Sequence, residues 1–298
     1  MNTTRFIIGA RSGRLATALA LVALTSVIAE AEVRSSSFES ASLGRQVSYV
    51  VDLPPGYGES SEPYDVVYAL HGLFEGEGFW ERRGMARVMR QAREDGQAPE
   101  CLVVAVDGGN SFFLNGPLGR YEDLVTKDLI THVEATYKVR PGPRHRALLG
   151  VSMGGYAALR IAFTHPGLFA AVATHSAMLL EAKPSAAGGA RRGHMRAFHG
   201  AFGDPIDSDL WNRNDPLTLA REVDPGALPA LYLDCGENDR YGLSRGHRAL
   251  ARALDERGAK HQLWLPPGDH GYDFVRSRLP ESLRFISLAL DEGDVPSR

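Results

Sequence analysis

Cysteine is scarce in this sequence. Among 298 residues only Cys101 and Cys235 occur, and each lies in an apolar run with the character of a strand. Two cysteines exclude a fold held together by several disulfides, and the absence of a C-x-x-C motif or a His/Cys cluster gives no indication of a metal site. An exported protein could pair the two cysteines, but cysteine in a core is more commonly a small buried apolar residue, so we expect two buried free thiols.

An excess of charge of one sign is also missing. The sequence has 33 basic and 36 acidic residues, which leave a formal net charge of −3. A nearly neutral chain gives no indication of the basic surface that binds nucleic acids or anionic lipids, so neither is expected as a partner. Internal repeats, heptads and low-complexity tracts are absent too, and the composition is that of a globular protein with a sizeable core.

The uncharged apolar run Leu15–Ala29 is shorter than the roughly 20 residues that a membrane-spanning helix needs. Arginines, and no acidic residue, precede the run, and Ala29-Glu30-Ala31 follows it as an A-x-A cleavage site. This order is typical of a secretory signal peptide. We expect residues 1–31 to be cleaved and the mature protein to be secreted or periplasmic. The alternatives are an uncleaved anchor, or a start codon chosen too early for a cytosolic enzyme.

Apolar runs alternate with helical patterns over the rest of the chain. Runs such as "YDVVYAL", "CLVVAV" and "RALLGV" predict buried strands, and amphipathic stretches such as "YEDLVTKDLITHVEATY" predict helices between them. The alternation predicts an α/β fold with a mostly parallel central sheet and helices on both faces. We assign 32–298 to a single domain with an insertion at about 182–216, where no clear period is visible.

The stretch "ALLGVSMGGYAAL" indicates a catalytic serine. Ser152 is the centre of a G-x-S-x-G motif, with a strand-like run before it and a helical pattern after it. Strand, tight turn and helix are the context of a nucleophile elbow, in which glycines permit a sharp bend and close packing of the helix. Since G-x-S-x-G also occurs by chance, the motif needs partners elsewhere in the chain.

A serine becomes a good nucleophile when a base takes its proton and an acid orients that base. In the α/β-hydrolase fold the acid and then the histidine follow the serine, each in a loop after a strand. Of ten histidines, His270 in "LWLPPGDHGYDF" has this order, loop and glycine neighbour, although His175 and His199 could also line the cleft. In "LYLDCGENDRYG" both Glu237 and Asp239 lie in a suitable loop, so either could be the acid.

Acyl transfer also requires two backbone N–H groups directed at the developing oxyanion. Met153, the residue after the nucleophile, is the first candidate. The second should come from the loop after "VVYALHG", which makes Leu73 the candidate, with Phe74 next to it.

With these residues assigned, the chain resembles the esterase D-like branch of α/β-hydrolases. This family includes feruloyl and acetylxylan esterases, S-formylglutathione hydrolase and antigen 85 mycolyltransferases. The resemblance extends from about Val47 to Leu290 and is carried by "YALHGLFEGEGFW", "VAVDGGNSFFLNG", "LLGVSMGGYAALRIAFTHPGLFAAV", "FGDP", "DCGENDRYG" and "GDHGYDFV". It implies an α/β-hydrolase fold and catalysis without a metal or cofactor. The site residues that it implies are the nucleophile Ser152, the acid Asp239, the base His270 and an oxyanion hole at Leu73 and Met153.

The leading hypothesis is therefore a secreted or periplasmic serine carboxylesterase that hydrolyses small-molecule or carbohydrate-linked esters through an acyl-enzyme. An acyltransferase of the antigen 85 type, in which a sugar hydroxyl replaces water, shares that intermediate, and the sequence does not separate the two. The alternative from another class is a non-catalytic binding protein with a hydrolase fold. The complete set of Ser, Asp and His counts against this alternative.

The insertion at 182–216 leads to two further hypotheses. In this fold it could cover the carboxyl ends of the strands and thus Ser152, or it could be a solvated surface loop. If it covers the cleft, Arg191, Arg192 and Arg196 could bind a polar or anionic leaving group. Its segment "GDPIDSDLWNRNDP" has the aspartates of a metal loop but lacks the glycine and glutamate of an EF-hand, so a capped, solvated loop is favoured.

Overall fold

The computed structural model describes residues 32–185 and 192–292. The predicted signal segment, residues 1–31, and Arg191 lie outside the described residues. Ten strands are present within the described ranges, eight of them in one sheet and two in a short hairpin. They are β1 (Glu32–Ser40), β2 (Arg45–Leu53), β3 (Asp65–Leu70), β4 (Cys101–Val106), β5 (Asn115–Gly116), β6 (Gly119–Arg120), β7 (Arg146–Val151), β8 (Ala171–His175), β9 (Ala230–Asp234) and β10 (Gln262–Trp264).

The helices follow the strands along the chain and are mostly short. They are α1 (Phe79–Arg82), α2 (Met85–Glu94), α3 (Tyr121–Asp123), α4 (Ile130–Thr136), α5 (Met153–Thr164), α6 (Arg192–Phe202), α7 (Ser208–Asn214), α8 (Pro216–Leu219), α9 (Leu243–Arg257) and α10 (Tyr272–Glu292). A π-helical segment, Leu124–Leu129, joins α3 to α4, and 3₁₀ turns occupy Pro143–His145 and Pro225–Ala227. Among the described residues, no helix combines the length and apolar character needed to cross a bilayer.

The central sheet is mostly parallel. Its strand order is β1-β2-β4-β3-β7-β8-β9-β10, in which β1 and β2 pair antiparallel and β2 pairs antiparallel with β4. The other six strands run parallel, from β4 through β3 to β10. Every residue of β3, β4 and β7 is buried, as expected for strands that are covered on both faces.

Two apolar clusters lie on opposite faces of this sheet. Alternate residues of β3 divide between them, with Val66, Tyr68 and Leu70 in one cluster and Val67 and Ala69 in the other. Helices α1, α2 and α10 contribute to one cluster, and α5, α6 and α9 contribute to the other. The predicted fold class, a mostly parallel sheet with helices on both faces, is confirmed.

Both cysteines are free and buried, as predicted. Cys101 begins β4, and Cys235 directly follows β9. Strands β3, β7 and β8 lie between β4 and β9 in the sheet. The two thiols are therefore too far apart to form a disulfide in the folded chain.

From residue 192 onward the insertion is largely helical, which its sequence did not indicate. Helix α6 buries Met195, Phe198 and Phe202, an apolar stripe with helical spacing that is hard to recognise beside the glycine- and arginine-rich residues before it. Asp207 caps α7 by accepting hydrogen bonds from two amides, and Asp215 caps α8 in the same way. These contacts confirm capping by Asp207 and Asp215, but the segment forms helices and not the solvated loop that was expected.

Candidate active site

Ser152 lies between β7 and α5, at the carboxyl edge of the sheet. Its φ is +55°, a left-handed conformation that is strained for a serine, and only 6% of the residue is exposed. A Cβ atom on Gly150 would overlap the backbone of Gly154, and one on Gly154 would overlap the carbonyl oxygen of Leu70. The two motif glycines are thus required because the elbow backbone and the neighbouring strand approach closely.

Backbone hydrogen bonds hold the elbow against the next strand. The Ser152 amide donates to the carbonyl of His175 at 2.9 Å, and the Ser152 carbonyl accepts from the Met178 amide at 2.9 Å. These contacts connect the turn to the end of β8 and to the segment that follows it. The serine therefore has a defined position at the end of the parallel strands, where α/β proteins bind their ligands.

His270 is paired with Asp239. Its Nδ1 donates to Asp239 Oδ2 at 2.8 Å, and the other carboxylate oxygen accepts from the Tyr241 amide at 2.8 Å. Burial of the Asp239 carboxyl raises its pKa, but the hydrogen bond and positive charge of His270, together with the loop amides, outweigh burial. The pKa of Asp239 is consequently below its ordinary value, and the group remains an anion beside the imidazole.

The other candidate acid, Glu237, points to solvent. Its side chain is about half exposed and forms an ion pair with Arg248 at 3.5 Å. Both acids belong to the same loop after β9, but only Asp239 turns inward beneath His270. The structure thus separates two residues that the sequence left as alternatives.

The alternative histidines are engaged elsewhere. His175 is fully buried, with Nδ1 2.9 Å from Asp234 and Nε2 3.0 Å from Ser282. Ser282, His175 and Asp234 are the residue types of a catalytic triad, but all three are fully buried, so a substrate cannot reach them. His199 contacts Asp204 at 3.2 Å, and neither His175 nor His199 lines the cavity described below.

The two amides assigned to the oxyanion hole belong to the loop after β3 and to the first residue of α5. Among the described residues, no oxygen accepts a hydrogen bond from the Leu73 or Met153 amide. The Phe74 amide, by contrast, donates to Asn110 Oδ1 at 2.8 Å. Leu73 is therefore better suited than Phe74 to donate to a bound oxyanion.

His71 stabilises the loop after β3 through two hydrogen bonds of its ring. Its Nδ1 donates to the Gly72 carbonyl at 2.8 Å, and its Nε2 accepts from the Gly108 amide at 3.0 Å. Burial lowers the pKa of His71 and favours the neutral ring that this pair of bonds requires. His71 thus connects the loop after β3 to the loop after β4, and it positions the Leu73 amide.

Ser152 and His270 line one cavity of about 890 Å³. The insertion forms part of its wall through 182–185 and through His194 and Phe198 of α6, so this segment does border the cleft. Arg192 and Arg196 are exposed and do not line the cavity, which contradicts their assignment to the leaving group. That assignment overlooked the direction of the α6 side chains, because arginine spacing alone does not show which helix face meets the cleft.

His194 was missed at the sequence level. It lies in the insertion, where no template assigns a role to a histidine, but helix α6 directs it to the cavity between Phe74 and Tyr241. The apolar stripe of α6 was the available signal, because it predicts which helix face turns inward. Among the described residues, no group of three or more His, Cys, Asp or Glu side chains is arranged to hold a metal.

Comparison with known proteins identifies the family of the chain. The family model described as "Putative esterase" matches residues 40–286, most of the chain. An endo-1,4-beta-xylanase/feruloyl esterase from Xylanibacter ruminicola is 29% identical over 147 residues. The match covers 46% of this chain and 20% of that relative, so the chain spans about a fifth of its length.

Solved structures show the same architecture. A ferulic acid esterase superimposes with a TM-score of 0.73 at 25% identity, over 88% of this chain and 99% of the other. An S-formylglutathione hydrolase from Staphylococcus aureus shares the fold, with a TM-score of 0.70 at 20% identity, over 87% of this chain and all of the other (100%). The chain therefore belongs to the esterase family of carboxylic ester hydrolases, and it has their α/β-hydrolase fold.

Proposed function

We propose that the protein is a serine esterase that works through the triad Ser152, His270 and Asp239. Ser152 Oγ attacks the ester carbonyl carbon, while His270 Nε2 takes the hydroxyl proton. The bond to the alcohol oxygen breaks, and His270 returns the proton to the departing alcohol. Water then attacks the acyl-enzyme, His270 accepts one water proton, and this proton returns to Ser152 Oγ as the acid leaves.

The remaining residues have supporting roles in this proposal. Asp239 keeps the His270 proton on Nδ1 and stabilises the imidazolium that forms during each proton transfer. The amides of Leu73 and Met153 donate to the oxyanion, which develops on the former carbonyl oxygen. No cofactor takes part in these steps.

One observation carries the proposal. Ser152 lines the same cavity as His270, whose Nδ1 bonds the buried carboxylate of Asp239 at 2.8 Å. Family membership supports ester bonds as the target, and the names of two relatives direct attention to feruloyl esters and to esters linked to carbohydrate. We therefore propose small-molecule or carbohydrate-linked esters as substrates.

The test is removal of the nucleophile and the base. Ser152→Ala and His270→Ala should each lower kcat on p-nitrophenyl acetate by about 10³-fold or more, because triad members act as a unit. A fluorophosphonate probe should label the natural protein and not Ser152→Ala. Ser287→Ala, which changes a partly exposed serine of α10 outside the cavity, is the matched control and should keep full activity.

Circular dichroism should show the same fold for all of these variants. If Ser152→Ala keeps near-native activity, or if the probe labels another residue, the proposed mechanism is wrong. If the natural protein neither labels nor hydrolyses any ester of a panel with rising acyl chain length, it is instead a binding protein.

A further inference from the structure

Two exposed aromatic rings line the active-site cavity. Within the described residues three large apolar side chains are exposed: Phe74 at 57%, Leu118 at 49% and Tyr241 at 41%. Phe74 and Tyr241 line the cavity, and Leu118 does not. Folding normally buries such side chains, so a concentration of them beside a reactive group indicates a surface that a ligand covers.

His194 connects the two rings. Its ring centroid is 5.5 Å from that of Phe74 and 5.5 Å from that of Tyr241. The Tyr241 ring then meets the ring of His270 edge-on at 4.8 Å. Phe74, His194 and Tyr241, here called the ring row, thus extend from the loop after β3 across α6 to the base.

The backbone of Phe74 is also strained. Its φ is +66°, a left-handed conformation that residues with a side chain rarely adopt, and the bond from its amide to Asn110 Oδ1 holds it there. An exposed phenyl ring on a strained backbone contributes little to folding. Strain of this kind is concentrated at sites that bind or react, where the surrounding structure maintains it.

The position of His270 shows which part of the ester meets the ring row. In the proposed mechanism His270 returns its proton to the departing alcohol oxygen, so the alcohol portion lies on the His270 side of the scissile bond. Tyr241 packs against His270 on that side. Three charged side chains also line the cavity, each in an ion pair with a neighbouring residue: Glu75, Arg240 and Arg245.

We propose that the ring row is a specificity subsite that binds the face of a ring in the alcohol portion of the ester. Aromatic alcohols and saccharides both present such a face, and aromatic side chains pack against either. The subsite rests on the proposed function, because the direction of the ester depends on the role of His270.

The experiment keeps the acyl group constant and changes the alcohol. Ethyl acetate, phenyl acetate and a methyl xyloside acetate share the acetyl group and differ in the alcohol alone. We compare kcat/KM on each ester for four proteins: the natural chain, Phe74→Ala, Tyr241→Ala and the double variant. Leu118→Ala is the matched control, since it removes the third exposed apolar side chain from a position outside the cavity.

The double variant should lose about tenfold in kcat/KM on a ring-bearing ester relative to ethyl acetate, as the loss of aromatic packing predicts. A loss of kcat/KM confined to phenyl acetate identifies an aromatic alcohol as the ligand of the ring row. A loss confined to the xyloside acetate identifies a saccharide. Leu118→Ala should leave all ratios unchanged. Equal losses on all three esters, or unchanged ratios in the double variant, would overturn the subsite.

Ser152→Ala, assayed in parallel, separates this proposal from the proposed function. If Ser152→Ala remains active, the mechanism itself fails. If Ser152→Ala is inactive while the double variant keeps the ratios of the natural protein, the triad stands and the subsite alone is wrong. Because both rings are exposed, their removal should leave the fold intact, which thermal unfolding would verify.

Discussion

At the scale of single residues, the glycines around Ser152 are set by close approaches of the backbone. A methyl group on Gly154 would overlap the Leu70 carbonyl oxygen on β3, an atom that cannot move without disturbing the central sheet. We predict that Gly154→Ala lowers the free energy of unfolding by about 3 kcal/mol, at the upper end of overpacking costs. Denaturant titration of the purified variant measures this change.

Gly58→Ala is the control for that substitution. Gly58 is exposed, and a methyl group there would have no atom within 4 Å. Its free energy of unfolding should stay within about 0.5 kcal/mol of the natural value, as for other surface changes. A Gly154→Ala protein that is as stable as Gly58→Ala would show that the elbow tolerates a side chain, contrary to the geometry.

The cysteines allow a second prediction at this scale. Both thiols are buried, and burial raises the pKa of Cys101 to about 12 and raises that of Cys235 as well, so little thiolate exists at neutral pH. Ellman's reagent should find no fast-reacting thiol in the native protein and two after denaturation without reductant. Fewer than two after denaturation would indicate a disulfide, which the sheet order does not permit.

Some of the proposed site residues are easier to recognise in the sequence than others. Ser152 and His270 are identified by chain order and glycine neighbours, features that a linear pattern contains. The choice between Glu237 and Asp239 depends on which way one loop turns, and both residues satisfy the pattern equally. His194 reaches the cavity only because α6 packs across the end of the sheet, which is a tertiary fact.

At the scale of elements, an ion-pair cluster fastens α5 to α3. Glu122 of α3 forms ion pairs with Arg160 and His165 at the end of the elbow helix, and Arg160 is only 1% exposed. Burial raises the pKa of Glu122, but the His165 hydrogen bond and the Arg160 charge outweigh it and lower the pKa to about 2. The carboxylate therefore stabilises the folded chain.

We predict that Glu122→Gln lowers the free energy of unfolding at pH 7 by about 3 kcal/mol, because Arg160 then remains buried without its anion. A carboxyl whose folded pKa is depressed contributes stability above its ordinary pKa of 4.5, and this contribution is lost as the pH falls towards 2. The difference in the free energy of unfolding between Glu122→Gln and the natural protein should thus disappear as the pH falls from 4.5 towards 2.

Urea titrations at several pH values measure this gap. Glu256→Gln, at an exposed position of α9, is the matched control and should show little difference at any pH. A gap for Glu122→Gln that is the same at pH 7 and pH 3 would mean that the side chain acts through packing and not through its charge.

Most elements were predictable because their signals are local. The buried runs of β3, β4 and β7 are continuous and apolar, so their strands follow from the sequence. The sequence "WERRGMARVMRQARED" has a continuous helical pattern, but Gly84, with a φ of +75°, divides it into α1 and α2. Strand β1 is serine-rich and mostly exposed, and it depends on its pairing with β2, which no local pattern reveals.

At the scale of the whole molecule, we propose that residues 1–31 direct export and are then removed. The basic, apolar and small-residue segments occur in the order that signal peptidase substrates share. Cleavage after Ala31 would leave Glu32, which pairs with Leu53 of β2, as the first residue. The mature chain would then retain every strand of the sheet.

Expression of the full sequence in a bacterial host tests this prediction. The intact mass of the protein recovered outside the cytoplasm should equal that of residues 32–298. Ala29→Glu and Ala31→Glu should each block processing, because the enzyme requires small side chains at these two positions. Glu30→Gln changes the position between them, where size is not restricted, and should be processed normally. Recovery of the full-length mass from the cytoplasm, with esterase activity, would instead favour a cytosolic enzyme.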